Sequence, residues 1–65
     1  SVMTLEEIIQ ENIAAFTTLR DLWKSEVELG EECENLPYAT KHYNHYEKTL
    51  AEYVKNPCAG EEEAA

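Results

Sequence analysis

Basic residues are scarce in this sequence, cysteines scarcer, and long apolar runs absent altogether. Five Lys and Arg face fourteen Asp and Glu, a formal charge of −9. That balance argues against generic binding to nucleic acid or to an anionic membrane, and favours a soluble protein that meets other proteins. The two cysteines, Cys33 and Cys58, have no CxxC spacing and no secretory signal beside them, which sets aside the disulfide-rich secreted class. No apolar stretch approaches the roughly 20 residues of a membrane span. The sequence holds no nucleophile–base pairing, no Gly-rich phosphate loop and no cofactor motif, so it reads as non-enzymatic and free of cofactor and metal. At 65 residues it is one small domain near the lower limit for a self-sufficient core. The expected setting is cytoplasmic, with Ser1-Val2 as a cloning remnant ahead of Met3.

What is present is a long amphipathic segment. Thr4-Leu5-Glu6-Glu7 is a capping box, in which the Thr4 hydroxyl and the Glu7 carboxylate each take the other's backbone amide. Met3 and Ile8 are spaced for a hydrophobic staple, and Glu6 and Glu7 suit the positive end of the helix dipole. At steps of about 100° per residue, Leu5, Ile8, Ala15, Leu19, Leu22 and Leu29 form one seam. Ile9, Ile13, Phe16, Trp23 and Val27 form a second seam beside it. The apolar arc is about 200° wide, where a surface helix needs little more than about 100°, so one neighbouring helix cannot cover it. Asn12 and Glu26 interrupt the arc and Arg20 lies at its edge. Arg20 and Glu26 are expected to lay their stems on the core rim with their charges in water. Asn12, if buried, would fix register or orientation.

Gly30 can stop this first helix as a C′ glycine, or the helix can run on to about Cys33. Asn35-Leu36-Pro37 is a firm break, with Leu36 pushed out of helical conformation and Pro37 opening a second helix that ends near Lys55, before Asn56-Pro57. Ala39, Tyr43, Tyr46, Leu50 and Tyr53 repeat there at 4-3 spacing with Val54 alongside, while Tyr38, His42 and Thr49 flank this single, tyrosine-rich stripe. Residues 57–65 are expected to be disordered, ending in Glu61-Glu62-Glu63.

The fold class expected is all-α: an antiparallel two-helix hairpin over residues 1–56, with helices at about 4–33 and 37–55, dimerising into a four-helix bundle. The unequal arms leave Leu5, Ile8, Ile9 and Ile13 protruding with little intramolecular cover. The expected dimer and core interface comprises Leu5, Ile8, Ile9, Asn12, Ile13, Phe16, Leu19 and Trp23, with Tyr43, Tyr46, Leu50 and Tyr53 from the second helix.

Other residues carry weaker signals. His42 and His45 are three apart, as two ligands on one helix face would be, but further ligands do not present themselves and no metal is assigned. Cys33 lies near the turn of such a hairpin and Cys58 near its far end, which disfavours a bond between them within one chain. Lys41, Lys48 and Lys55 recur every seventh residue on the outer face of the second helix. They form the one basic surface able to touch nucleic acid, with Glu52 weakening it.

With its two-helix plan, bundle-forming seams and acidic tail, the chain resembles the plasmid copy-number regulator Rop. That resemblance implies binding of structured RNA, here through the Lys41, Lys48 and Lys55 face; no RNA-contacting pattern matches residue by residue, so no site is carried over. Counted from Met3, its length is similar to that of the small accessory proteins encoded in the early, exo–xis region of lambda-like phages. This second resemblance implies a modulator in the host bacterial cytoplasm that biases development through contacts with host or phage proteins.

Overall fold

The computed structural model describes residues 2–59. Two helices, α1 (Leu5–Glu28) and α2 (Leu36–Lys55), are joined by a 3-10 turn at Gly30–Glu32 and fold back on each other as a hairpin. There is no strand among the described residues. Neither helix is long and apolar enough to cross a membrane.

Each helix boundary has a local cause. At the start of α1, the Glu7 amide donates to Thr4 Oγ1 at 3.1 Å and the Thr4 amide donates to Glu7 Oε1 at 3.1 Å, closing the capping box. At the other end, α1 stops at Glu28 and does not reach Cys33. Gly30 takes φ +59°, the left-handed conformation of a C′ glycine. The last turn of α1 carries no base to offset the dipole, and two more acids, Glu31 and Glu32, follow. The chain instead tightens into i→i−3 bonds, Glu32 N–H to the Leu29 carbonyl and Cys33 N–H to the Gly30 carbonyl.

Leu36 is the first residue of α2, contrary to its expected exclusion by Pro37. Asn35 is the N-cap, and its Oδ1 accepts the Tyr38 amide at 3.1 Å. Pro37 therefore falls at the second helical position, where the missing N–H has no intrahelical acceptor to lose. After Lys55 the chain turns at Asn56–Ala59, with the Ala59 amide donating to the Asn56 carbonyl. Pro57, Cys58 and Ala59, the first residues of the expected tail, are half-buried, and its residues 60–65 lie outside the described residues.

The core is thin. Among the described residues only Ala39, at 2% exposure, and Leu50, at 9%, are buried. Both lie on the inner stripe of α2. Globular domains close their cores between at least two layers; this hairpin is a single one.

Candidate interaction surface

The two seams of α1 meet different fates. Ile9, Ile13, Phe16, Arg20, Trp23 and Val27 are all half-buried and form the face that packs on α2. The aromatic pairs mark the join: Phe16 meets Tyr53 edge-on at 5.5 Å, and Trp23 meets Tyr38 edge-on at 5.7 Å. Near the turn, Trp23 also stacks on His42 at 4.7 Å and 20°. Tyr43 and Tyr46 are half-buried on the same stripe of α2 as Leu50. Val54, expected alongside that stripe, is 56% exposed.

Polar contacts reinforce the same face. Asn12 Nδ2 donates to Tyr53 Oη at 2.9 Å, and Asn12 stays exposed in the hairpin rather than buried. Arg20 lies 3.0 Å from Asp21 and reaches across to Glu47 at 3.5 Å, so its charge is paired. With Arg20 29% and Glu47 49% exposed, this interhelical pair contributes about 1 kcal/mol at most.

Ile9 and Ile13 are half-buried, which corrects the expectation that they protrude. They belong to the seam that faces α2. Leu5 and Ile8 do protrude, at 58% and 43% exposure. An open cleft of about 420 Å³ lies between them and the Asn56–Ala59 turn, floored by Ile9 and Tyr53.

The large aliphatic side chains of the remaining seam of α1 are all exposed, while Glu26 on the same line is half-buried in the hairpin's own turn-end cleft. Leu19 is 36% exposed, Leu22 57% and Leu29 48%, in addition to Leu5 and Ile8. Counting every position on this line gives Leu5, Ile8, Asn12, Ala15, Leu19, Leu22, Glu26 and Leu29, alternately three and four apart. That is a 3.5-residue repeat over the full helix, the period of a coiled-coil seam. Hydrophobicity alone separates the two seams but hides this register, because Asn12 and Glu26 break the apolar pattern while keeping its spacing. The two lines sit about 100° apart around α1, near the corner angle between neighbours in a square bundle.

Other expected residues fall elsewhere. Lys41, Lys48 and Lys55 are exposed on α2, away from the uncovered seam. His45 packs its ring edge against Tyr46 at 5.1 Å, while His42 is taken up by Trp23 and Tyr38, so the two imidazoles have separate neighbours. Cys33 lines a second cleft at the turn end with Trp23, Glu26 and Tyr38, its Sγ 3.9 Å from Glu26 Oε2. Cys58 lies beside Leu5 and Ile8 at the other end, and both thiols are free. The Thr4 amide, and secondly its hydroxyl, hold the Glu7 carboxyl below its ordinary 4.5. This shift belongs to the helix cap and lies on a fully exposed group.

Comparison with known proteins adds no relative: no family profile, curated protein or solved structure matches this chain.

Proposed function

We propose that the chain works as a non-enzymatic interaction module, a homodimer whose two hairpins form a four-helix bundle. The observation that carries this reading is the aliphatic seam of α1, exposed from Leu5 to Leu29 while α2 is fully used on the other seam. Exposed large aliphatics cost about 1.5–3 kcal/mol each relative to burial, and a core of two buried residues has little to set against that cost. A second copy supplies the missing layer.

Once the seam is closed, the outer surface is acidic, with Glu7, Glu11, Asp21, Glu28 and Glu31 exposed, and with Tyr38 half-exposed beside the turn. Such a surface suits a protein partner with a basic or amphipathic face. The resemblance to early-region accessory proteins of lambda-like phages makes that partner a host or phage regulatory protein in the bacterial cytoplasm. Sedimentation equilibrium across a dilution series tests the dimer. A chain that stays monomeric and cooperatively folded at all concentrations removes the proposal.

A second reading, recognition of structured RNA by Lys41, Lys48 and Lys55, rests on one observation: all three are exposed at seven-residue spacing on α2, and among the described residues the ion pairs are Arg20's. The charge of −9 opposes it.

A further inference from the structure

We propose that two copies of α1 pair antiparallel along the uncovered seam, with Ala15 of each copy against Leu19 of the other beside the two-fold axis. This rests on the dimeric reading above and adds occupant, orientation and register to it.

The occupant follows from what each helix has left to offer. The single stripe of α2 is already spent on α1. Its remaining exposed large apolar side chains, Tyr38 and Val54, are 52% and 56% exposed. They point about 160° apart around the helix and make no stripe. Of the two helices, α1 alone retains a line of exposed aliphatic side chains, with Asn12 and Glu26 among them, and that line has the 3.5-residue period at which two helices wind around each other and keep contact. Its match is therefore the same line on a second copy.

Orientation follows from which side chains would meet. In a parallel pair each seam residue faces itself. Glu26 would oppose Glu26, setting like charges against each other inside an apolar seam, and Ala15 would oppose Ala15, leaving a gap where large side chains flank it. In the antiparallel pair centred between Ala15 and Leu19, Leu5 faces Leu29 and Asn12 faces Leu22. Glu26 then faces Ile8, against which its stem can lie while the carboxylate reaches the rim. Each small or polar side chain meets a large aliphatic one, and no like charges oppose in the seam. The helix dipoles also run head to tail.

One feature favours the parallel form, since facing asparagines are a known register device of parallel coiled coils. Here Asn12 Nδ2 is already committed to Tyr53 Oη at 2.9 Å within its own hairpin, so it does not depend on a second Asn12.

Cysteine cross-linking decides the matter. In a background carrying Cys33→Ser and Cys58→Ser, Leu5→Cys and Leu29→Cys are made separately; both replace exposed leucines, so circular dichroism should show the hairpin intact. One variant is isotopically labelled, the two are mixed, and the mixture is oxidised with glutathione disulfide and read by mass spectrometry. The expected result is the mixed Leu5→Cys/Leu29→Cys disulfide at least tenfold over either like-with-like product, and little covalent dimer from either variant alone. Ready self-cross-linking of each variant alone would show a parallel pair and overturn the inference. A sedimenting dimer with no cross-link at either position would also overturn it while leaving the dimeric reading in place. A monomer at every concentration would remove both.

Discussion

Leu22→Ala separates association from hairpin folding. Leu22 lies in the middle of the uncovered seam and is 57% exposed in the single chain, so shortening it takes little from α1–α2 packing. Full burial of a leucine contributes about 1.5–3 kcal/mol, and the exposed share of Leu22 scales that to roughly 1–1.7 kcal/mol. A two-fold interface counts the loss twice, giving about 2–3 kcal/mol per dimer. At about 1.4 kcal/mol per decade, the dimer dissociation constant rises about 30- to 150-fold. Sedimentation equilibrium over a hundredfold concentration range reads this directly, with far-ultraviolet circular dichroism at high concentration as the control for helix content. The reasoning fails if Leu22→Ala dimerises as tightly as the parent chain. It fails equally if Glu28→Ala, on the solvent side of α1, weakens the dimer to the same extent.

Four further outcomes follow from local features. Leu50→Ala removes the one large side chain at the hairpin core and should destabilise by about 2–4 kcal/mol in thermal or urea unfolding, enough to unfold much of so small a protein; an unchanged midpoint would mean that the helices do not pack through Leu50. Gly30→Ala places a side chain where φ is +59°, with nothing within 4 Å of the added methyl, so its cost is backbone strain alone, about 1–2 kcal/mol, and Gly30→Asn should cost less. The Glu7 carboxyl is held below its ordinary value in the folded chain, so its contribution is present above pH 4.5 and is lost as pH falls through the folded-state value. An acid titration of helicity should show that step, and Thr4→Ala, which removes the hydroxyl but keeps the amide, should shrink it while lowering stability at neutral pH. Replacing Lys41, Lys48 and Lys55 together by alanine should leave the dimer intact, since all three are exposed on α2. A native-gel shift of structured RNA given by the parent and lost in that variant would favour the RNA reading over the protein partner.

Much of the hairpin was legible in local chemistry. The capping box at Thr4 and Glu7 and the break at Asn35–Pro37 depend only on neighbours in sequence, and they set the starts of both helices to within about a residue. The end of α1 was less legible. Gly30 supports either a stop or a continuation, and the outcome depends on the acids that follow it and on the direction in which α2 must leave. The assignment of seams was not legible at all. Both lines of α1 are comparably apolar, and what distinguishes them is that Phe16 and Trp23 lie on one line and find Tyr53, Tyr38 and His42 across the hairpin. That complementarity exists only between helices.

Every phenyl, indole and phenol ring of the chain, on Phe16, Trp23 and the four tyrosines, is on the side where its own two helices meet or beside that join, and the open line of α1 holds none. The lone indole, stacked on an imidazole at the bend, thus makes a built-in optical probe of whether the arms are closed. Its emission should change when the arms part and stay nearly constant when closed hairpins merely come together, so one unlabelled sample can report folding by light and assembly by mass.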